Sequence, residues 1–325
     1  MTRPPLSLLD LTRVREDRGP AQALQNARAI AQHVEGLGFH RYWVAEHHNM
    51  VGVASAATPV VIAHVAGGTT RIRVGAGGVM LPNHAPYVVA EQFGTLAQLH
   101  PGRIDLGLGR APGTDGATLI RALRRDPHGA EHFPQDVVEL MGWFAPENTL
   151  GITAVPAAGS DVEFIILGSS HFGAMLAAEL GLPYGFASHF APGALHEALH
   201  LYRAQYKPSL RGRDPHAMVA VNVICAETED EARHLFTTMQ QGFLGLIRGN
   251  RRYSMPPGPV DWAPREEAQV MAMLGCHVVG TPNQVRAGLE RIVAETRADE
   301  LILVTDTWDF EARKRSLTLT AEAWG

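Results

Sequence analysis

The feature that most constrains this chain is an alternation carried through its whole length. Eight short apolar runs are separated by stretches of helical periodicity, with no linker and no break in composition. The runs are Leu6 to Asp10, Phe39 to His48, Arg71 to Leu81, Arg103 to Leu108, Val162 to Leu167, Tyr184 to Ser188, Met218 to Cys225 and Glu300 to Thr305. Runs this apolar belong to strands covered on both faces, as parallel strands are. The intervening stretches carry helix punctuation. Gly19-Pro20 opens one that Gly38 closes, Pro59 opens another, Ser170 is placed as an N-cap, and Gly181 is a terminator. Thr281-Pro282-Asn283-Gln284 is a capping box with Pro at the first helical position.

Strand and helix in regular alternation make an α/β protein, and eight pairs make a (β/α)8 TIM barrel the economical closure. A doubly wound open sheet is the alternative, because a linear count of strands does not show closure. Two less regular regions, about 111–160 and 247–280, read as insertions after strands 4 and 7, lying over the carboxyl face of one single domain that spans 1–325. An Arg-rich helix near Leu119 to Arg125 and an apolar one from Pro134 to Phe144 fall inside the first.

Composition narrows the function classes. A formal charge of −5 without a Lys/Arg stripe gives no case for nucleic acid. No apolar run approaches the roughly 20 residues of a membrane helix, and the N-terminal apolar segment is too short for a signal peptide. Cys225 and Cys276 are the two cysteines; they lie far apart and point to reduced thiols in a cytoplasmic protein.

Four groups of residues stand at the carboxyl ends of the expected strands, where α/β folds place their chemistry. Glu46-His47-His48 ends the second run. Side chains alternate along a strand, so Glu46 and His48 share one face and His47 takes the other. A hydrogen-bonded polar end to a core strand is the plain alternative for these three. Gly75-Ala76-Gly77-Gly78 lies within the third run; glycines there mark either a bulge or the close approach of another surface. Arg110 follows the fourth run in GLGRAPG, whose glycines are misspaced for a dinucleotide fingerprint, so a Rossmann reading is rejected. It is a fixed positive charge suited to phosphate, or a surface ion-pair partner. Gly168-Ser169-Ser170 runs straight into a helix, and its backbone N–H groups and hydroxyls favour an anion. No metal site is read, since His47 and His48 face opposite ways and no carboxylate set completes one. Substrate contacts are expected from the two insertions and from Leu9, Asp10, His84 and Ser188.

Taken together, GFHRYWVAEHHN, RIRVGAGGVMLPNHAPYVVAEQFGTLAQLHPGRIDLGLGRAPGTD, ILGSSHFGAMLAAELGLPYGFASHFAP and VGTPNQVRAGLERI resemble the bacterial luciferase-like flavin monooxygenases, in order and spacing, over about Leu6 to Ala323. The likeness is nearest to single-subunit oxidoreductases of that group. It implies a TIM barrel using reduced FMN, supplied by a separate flavin reductase, and O2 on a small organic substrate. It implies proton transfer by His47, a cis peptide between Gly77 and Gly78 beneath the flavin ring, and a flavin phosphate near Arg110, Ser169, Ser170 and Gly173. The light-emitting chain has cysteine, an acidic residue and tryptophan where Gly109, Ser169 and Ser188 stand here, which argues against bioluminescence. Related barrels use the deazaflavin F420 for hydride transfer, and some members are non-catalytic flavin-binding subunits; the retained Glu46-His47-His48 speaks against the latter. The family commonly pairs through its second and third helices, here rich in Ala and Gly, which implies a homodimer.

Overall fold

The computed structural model describes residues 3–147, 151–250 and 252–325. Nine strands and ten α-helices follow one another in it. β1 (Leu6–Asp10), α1 (Gly19–Gly36), β2 (Arg41–Val44), α2 (Thr58–Ala66), β3 (Arg73–Met80), α3 (Pro86–Leu99) and β4 (Ile104–Gly109) form the first half. α4 (Phe133–Trp143), β5 (Glu163–Gly168), α5 (His171–Leu180), β6 (Tyr184–Phe186), α6 (Leu195–Gln205) and β7 (Ala217–Cys225) follow. The chain ends with α7 (Glu229–Ile247), α8 (Pro264–Met273), β8 (His277–Gly280), α9 (Pro282–Thr296), β9 (Glu300–Val304) and α10 (Phe310–Trp324).

Every strand pairing is parallel. β1 to β7 pair in sequence order, β7 pairs β9, and β9 returns to β1, so the sheet closes into an eight-stranded barrel. This is a (β/α)8 barrel, and the open-sheet alternative is set aside by the closure. The ninth strand is an addition. β7 has nine residues; Met218 to Asn222 pair β9, and its carboxyl half, Asn222 to Cys225, pairs β8. The region 247–280, expected as an insertion after strand 7, contributes α8 and this strand. Only alternate residues of β8 are buried, so it lacks the continuous apolar run that marks the barrel strands.

The first irregular region also divides. α4 buries Phe133, Val137, Leu140 and Trp143 against the barrel's outer layer and is its own fourth helix. The Arg-rich helix is a single π-helical turn, Thr118–Ala122. Within the two irregular regions, residues 148–150 and 251 lie outside those described. Ser254 bridges Arg15 in the loop after β1, and an added Cβ on Gly52, after β2, would come 2.4 Å from the Arg252 carbonyl oxygen. The 252–254 segment therefore crosses above the carboxyl ends of β1 and β2. Among the described residues no helix is long and apolar enough to cross a membrane.

Alternation along the strands separates two apolar sets. Leu8, Tyr42, Val44, Val74 and Leu106 face the surrounding helices, whereas Leu9, Trp43, Ala45, Ile165, Met218, Ala220 and Ile302 fill the barrel. Near its amino end the interior carries a buried ionic plug. Arg41 stands 3.0 Å from both Asp105 and Glu300 and 2.9 Å from Glu163, while Trp43 Nε1 donates to Asp105 at 2.8 Å. Ser7 and His216 also bond Glu300. Burial pushes the Glu300 carboxyl up, but His216, Arg41 and Ser7 outweigh it and bring it down to about 2. These partners fill the amino end of the barrel with ion pairs.

Candidate active site

The interior wall of the carboxyl end starts from β2. Trp43 and Ala45 belong to the interior set, and His47 follows two residues beyond Ala45, past the end of β2. His189, just past β6, comes near it. Burial, helped by the neighbouring charge of His47, pushes the His189 imidazolium down to about 3. His189 is thus neutral at ordinary pH. Its backbone is fixed by Asn222 on β7, whose Nδ2 donates to the His189 carbonyl at 2.6 Å.

The floor beside them is bare backbone. The Gly77–Gly78 peptide bond is cis. A Cβ on Gly77 would come 2.8 Å from Leu9 and 3.0 Å from Trp43; one on Gly78 would come 2.6 Å from both the Gly107 oxygen and Leu167. Neither position has room for a side chain, and the β3–β4 register shifts between Gly77 and Val79.

The end of β4 and the start of α5, which follows β5, meet at one corner. Arg110, exposed directly after β4, places its guanidinium 4.0 Å above the ring of Phe172 in the first turn of α5. Ser170 is the N-cap residue of α5 with extended backbone, but its hydroxyl makes no capping bond, contrary to the expected role. The first-turn N–H groups of this ten-residue helix are therefore not capped by that side chain. The Tyr184 hydroxyl donates to the Ser170 carbonyl at 3.1 Å and holds the turn. A Cβ on Gly173 would come 3.3 Å from the Tyr184 ring and 3.5 Å from the Gly168 Cα, so the helix is packed closely on this loop. Arg110, Gly168, Ser169, Ser170 and Gly173 are thereby brought to one corner. A phosphate group fits it, with N–H dipoles and a guanidinium facing the same space.

On the outer face of the β2 end, Glu46 is 1% exposed. It accepts from His48 Nε2 at 2.7 Å, His84 Nε2 at 2.8 Å and the Met80 amide at 3.1 Å. Burial would raise this carboxyl; the two histidine bonds and the Met80 amide outweigh it and bring it down to about 2. His84 thus joins a cluster that sequence spacing could not assemble, because it is 38 residues from Glu46.

The expected substrate contacts separate. Leu9 is in the interior set. Asp10 is not open to it: alternation turns Asp10 outward, where it is fully buried, 3.0 Å from Arg313 and bonded to Tyr42 and the Thr12 amide. Ser188 is also fully buried and donates to the Ala220 carbonyl at 2.6 Å, which commits its hydroxyl to the wall. His84 is held by Glu46. The sequence carries one signal for His189, a histidine following a strand end in ASHF, and none for Asn222.

Comparison with known proteins gives the family and the fold. A family model described as luciferase-like monooxygenase matches residues 5–300. A luciferase-like monooxygenase of Escherichia coli (strain K12) is 48% identical over 321 residues, covering 97% of this chain and 96% of that protein. The N-acetyl-S-alkylcysteine monooxygenase of Bacillus subtilis (strain 168) is 29% identical over 343 residues, covering 98% and 97%. Among solved structures, apo-MsnO8 superposes with a TM-score of 0.88 at 33% identity, covering 99% of this chain and 98% of its own. Two others share the fold at lower identity. The oxygenating constituent of 3,6-diketocamphane monooxygenase from Pseudomonas putida, in complex with FMN, has TM-score 0.74 and 18% identity, covering 99% and 97%. An F420-dependent secondary alcohol dehydrogenase has 0.71 and 15%, covering 99% of each chain.

Proposed function

This chain belongs to the luciferase-like monooxygenase family, and on that premise we propose that it is an FMN-dependent monooxygenase acting with O2 on a small organic substrate. Reduced FMN comes from a separate flavin reductase in this reading. The observation that carries it is the Arg110 guanidinium held on Phe172 at the N-terminus of α5. Bound there, reduced FMN supplies the electrons for the reaction with O2, chemistry that belongs to the cofactor. The chain's own residues bind, orient and exclude water. Arg110 and the α5 N–H groups hold the phosphate, with Gly168, Ser169, Ser170 and Gly173 shaping the corner. Gly77 and Gly78 offer flat backbone to the ring. His47, on the interior face, exchanges a proton with the substrate, and neutral His189 opposite it adds no charge. Leu9 and Trp43 keep the floor apolar, which strengthens each polar contact made above it.

F420 is the second cofactor reading. It is supported by F420-dependent neighbours of the same fold, at identities of 15% and 14%. The named relative at 29% is a monooxygenase, which favours FMN. Cytoplasmic location and a homodimer complete the proposal. Val60, Val88 and Leu99 on α2 and α3 are 69%, 43% and 65% exposed and support pairing. Ala66, Gly94 and Ala97 serve packing within the chain instead; a Cβ on Gly94 would come 2.4 Å from the Ala157 amide nitrogen. Binding of FMN compared with riboflavin tests the phosphate corner: FMN should bind more tightly, and equal affinities would remove the carrying observation.

A further inference from the structure

Five carboxylates are buried among the described residues, and four of them have an arginine. Asp10 has Arg313, Asp105 has Arg41 and Arg73, Glu300 has Arg41, and Asp306 has Arg13. Glu46 is the exception. Its ion-pair partners are His48 and His84, both through Nε2 and both to the same oxygen, Oε1. A buried carboxylate requires a compensating cation. An imidazole is one only while protonated; a divalent ion held by neutral imidazoles serves wherever the carboxylate is ionised.

We propose that Glu46, His48 and His84 form a binding site for a divalent transition cation of the zinc class. The donor set is two imidazole nitrogens and one carboxylate oxygen, the three-ligand type that leaves further positions for water. The three donor atoms lie within 4.8 Å of one another. The other Glu46 oxygen accepts the Met80 amide at 3.1 Å, an outer bond of the kind that orients a ligating carboxylate. The His48 and His84 side chains are 16% and 29% exposed, so the ion has a solvent path that Glu46 alone lacks. Ligands of one tetrahedral zinc stand about 3.3 Å apart, so each imidazole withdraws by roughly 0.6 Å from its hydrogen bond to Glu46. The ion would tie the carboxyl end of β2 to the turn after β3 that carries Leu81 to His84. This site faces away from His47 and does not depend on the flavin reading.

Calorimetric titration of the chelator-treated full chain with ZnCl2, without flavin, tests it. About one equivalent should bind, with proton release that grows as pH falls. His84→Ala and His48→Ala should each weaken binding by at least roughly tenfold, while His128→Ala, which removes an exposed histidine beside Glu131, should not. Cobalt substitution adds a visible spectrum whose intensity reports nitrogen and oxygen ligation in the wild type and falls in His84→Ala. Should Glu46→Gln fail to fold, the two histidine variants still decide, with circular dichroism as the check on their fold. No stoichiometric binding, or equal binding by wild type and His84→Ala, overturns the proposal.

Discussion

The Arg110 guanidinium lies 4.0 Å above the ring of Phe172, so the residue that leaves β4 is clamped to the first turn of the helix that follows β5. That contact holds a delocalised charge beside open helix N–H groups, without a carboxylate to neutralise it among its described partners.

Arg110→Ala should therefore weaken FMN binding about 10- to 100-fold, the usual worth of a charge-assisted bond of about 1.5–3 kcal/mol. Riboflavin, which lacks the phosphate, should bind wild type and variant alike. A parallel loss for both ligands would mean that Arg110 acts through the fold.

His47→Ala should lower turnover by roughly 100- to 10,000-fold while leaving FMN affinity little changed, because general acid–base help is of that size. Single-turnover oxidation of a true substrate is the readout. An unaltered rate constant would take His47 out of the chemistry.

The ionic plug sets the acid limit of stability. The Glu300 carboxyl is held at about 2, below its usual 4.5. A depressed carboxyl contributes stability that is fully present above pH 4.5 and is lost as pH falls toward 2. Glu300→Gln should destabilise the protein by about 3–5 kcal/mol at neutral pH, because Arg41 keeps a buried charge with one partner fewer. Its stability should then fall less steeply than that of the wild type below pH 4.5. Denaturant melts at pH 7, 4 and 3 check both statements, and parallel pH curves would contradict the second.

Much of the barrel was legible because its signals are local. Apolar runs mark covered strands, and the capping box is realised where Gln284 accepts the Thr281 amide at 2.8 Å. Glu46 and His48, expected to share a face, are bonded to one another at 2.7 Å. What was missed depends on pairs distant in sequence. Arg41 and Glu300 meet across 259 residues, and His84 reaches Glu46 from another loop. Asp10 was placed in the wrong setting because a charge ending a strand looks the same whether it faces the mouth or the helix layer. β8 buries only alternate residues and offers no continuous apolar run.

Pairing through α2 and α3 should give a dimeric mass by light scattering at micromolar concentration. Val60→Lys together with Leu99→Glu should return it to the monomer without loss of fold. A monomeric wild type would remove the exposed apolar residues as evidence.

The most direct measurement is an anaerobic titration of the flavin-free chain with reduced FMN, oxidised FMN and F420 in parallel. The proposed monooxygenase should bind reduced FMN most tightly and change the course of its oxidation when O2 is admitted. Preference for F420, with no effect on the reaction of FMN with O2, would contradict that function and move the protein to hydride transfer.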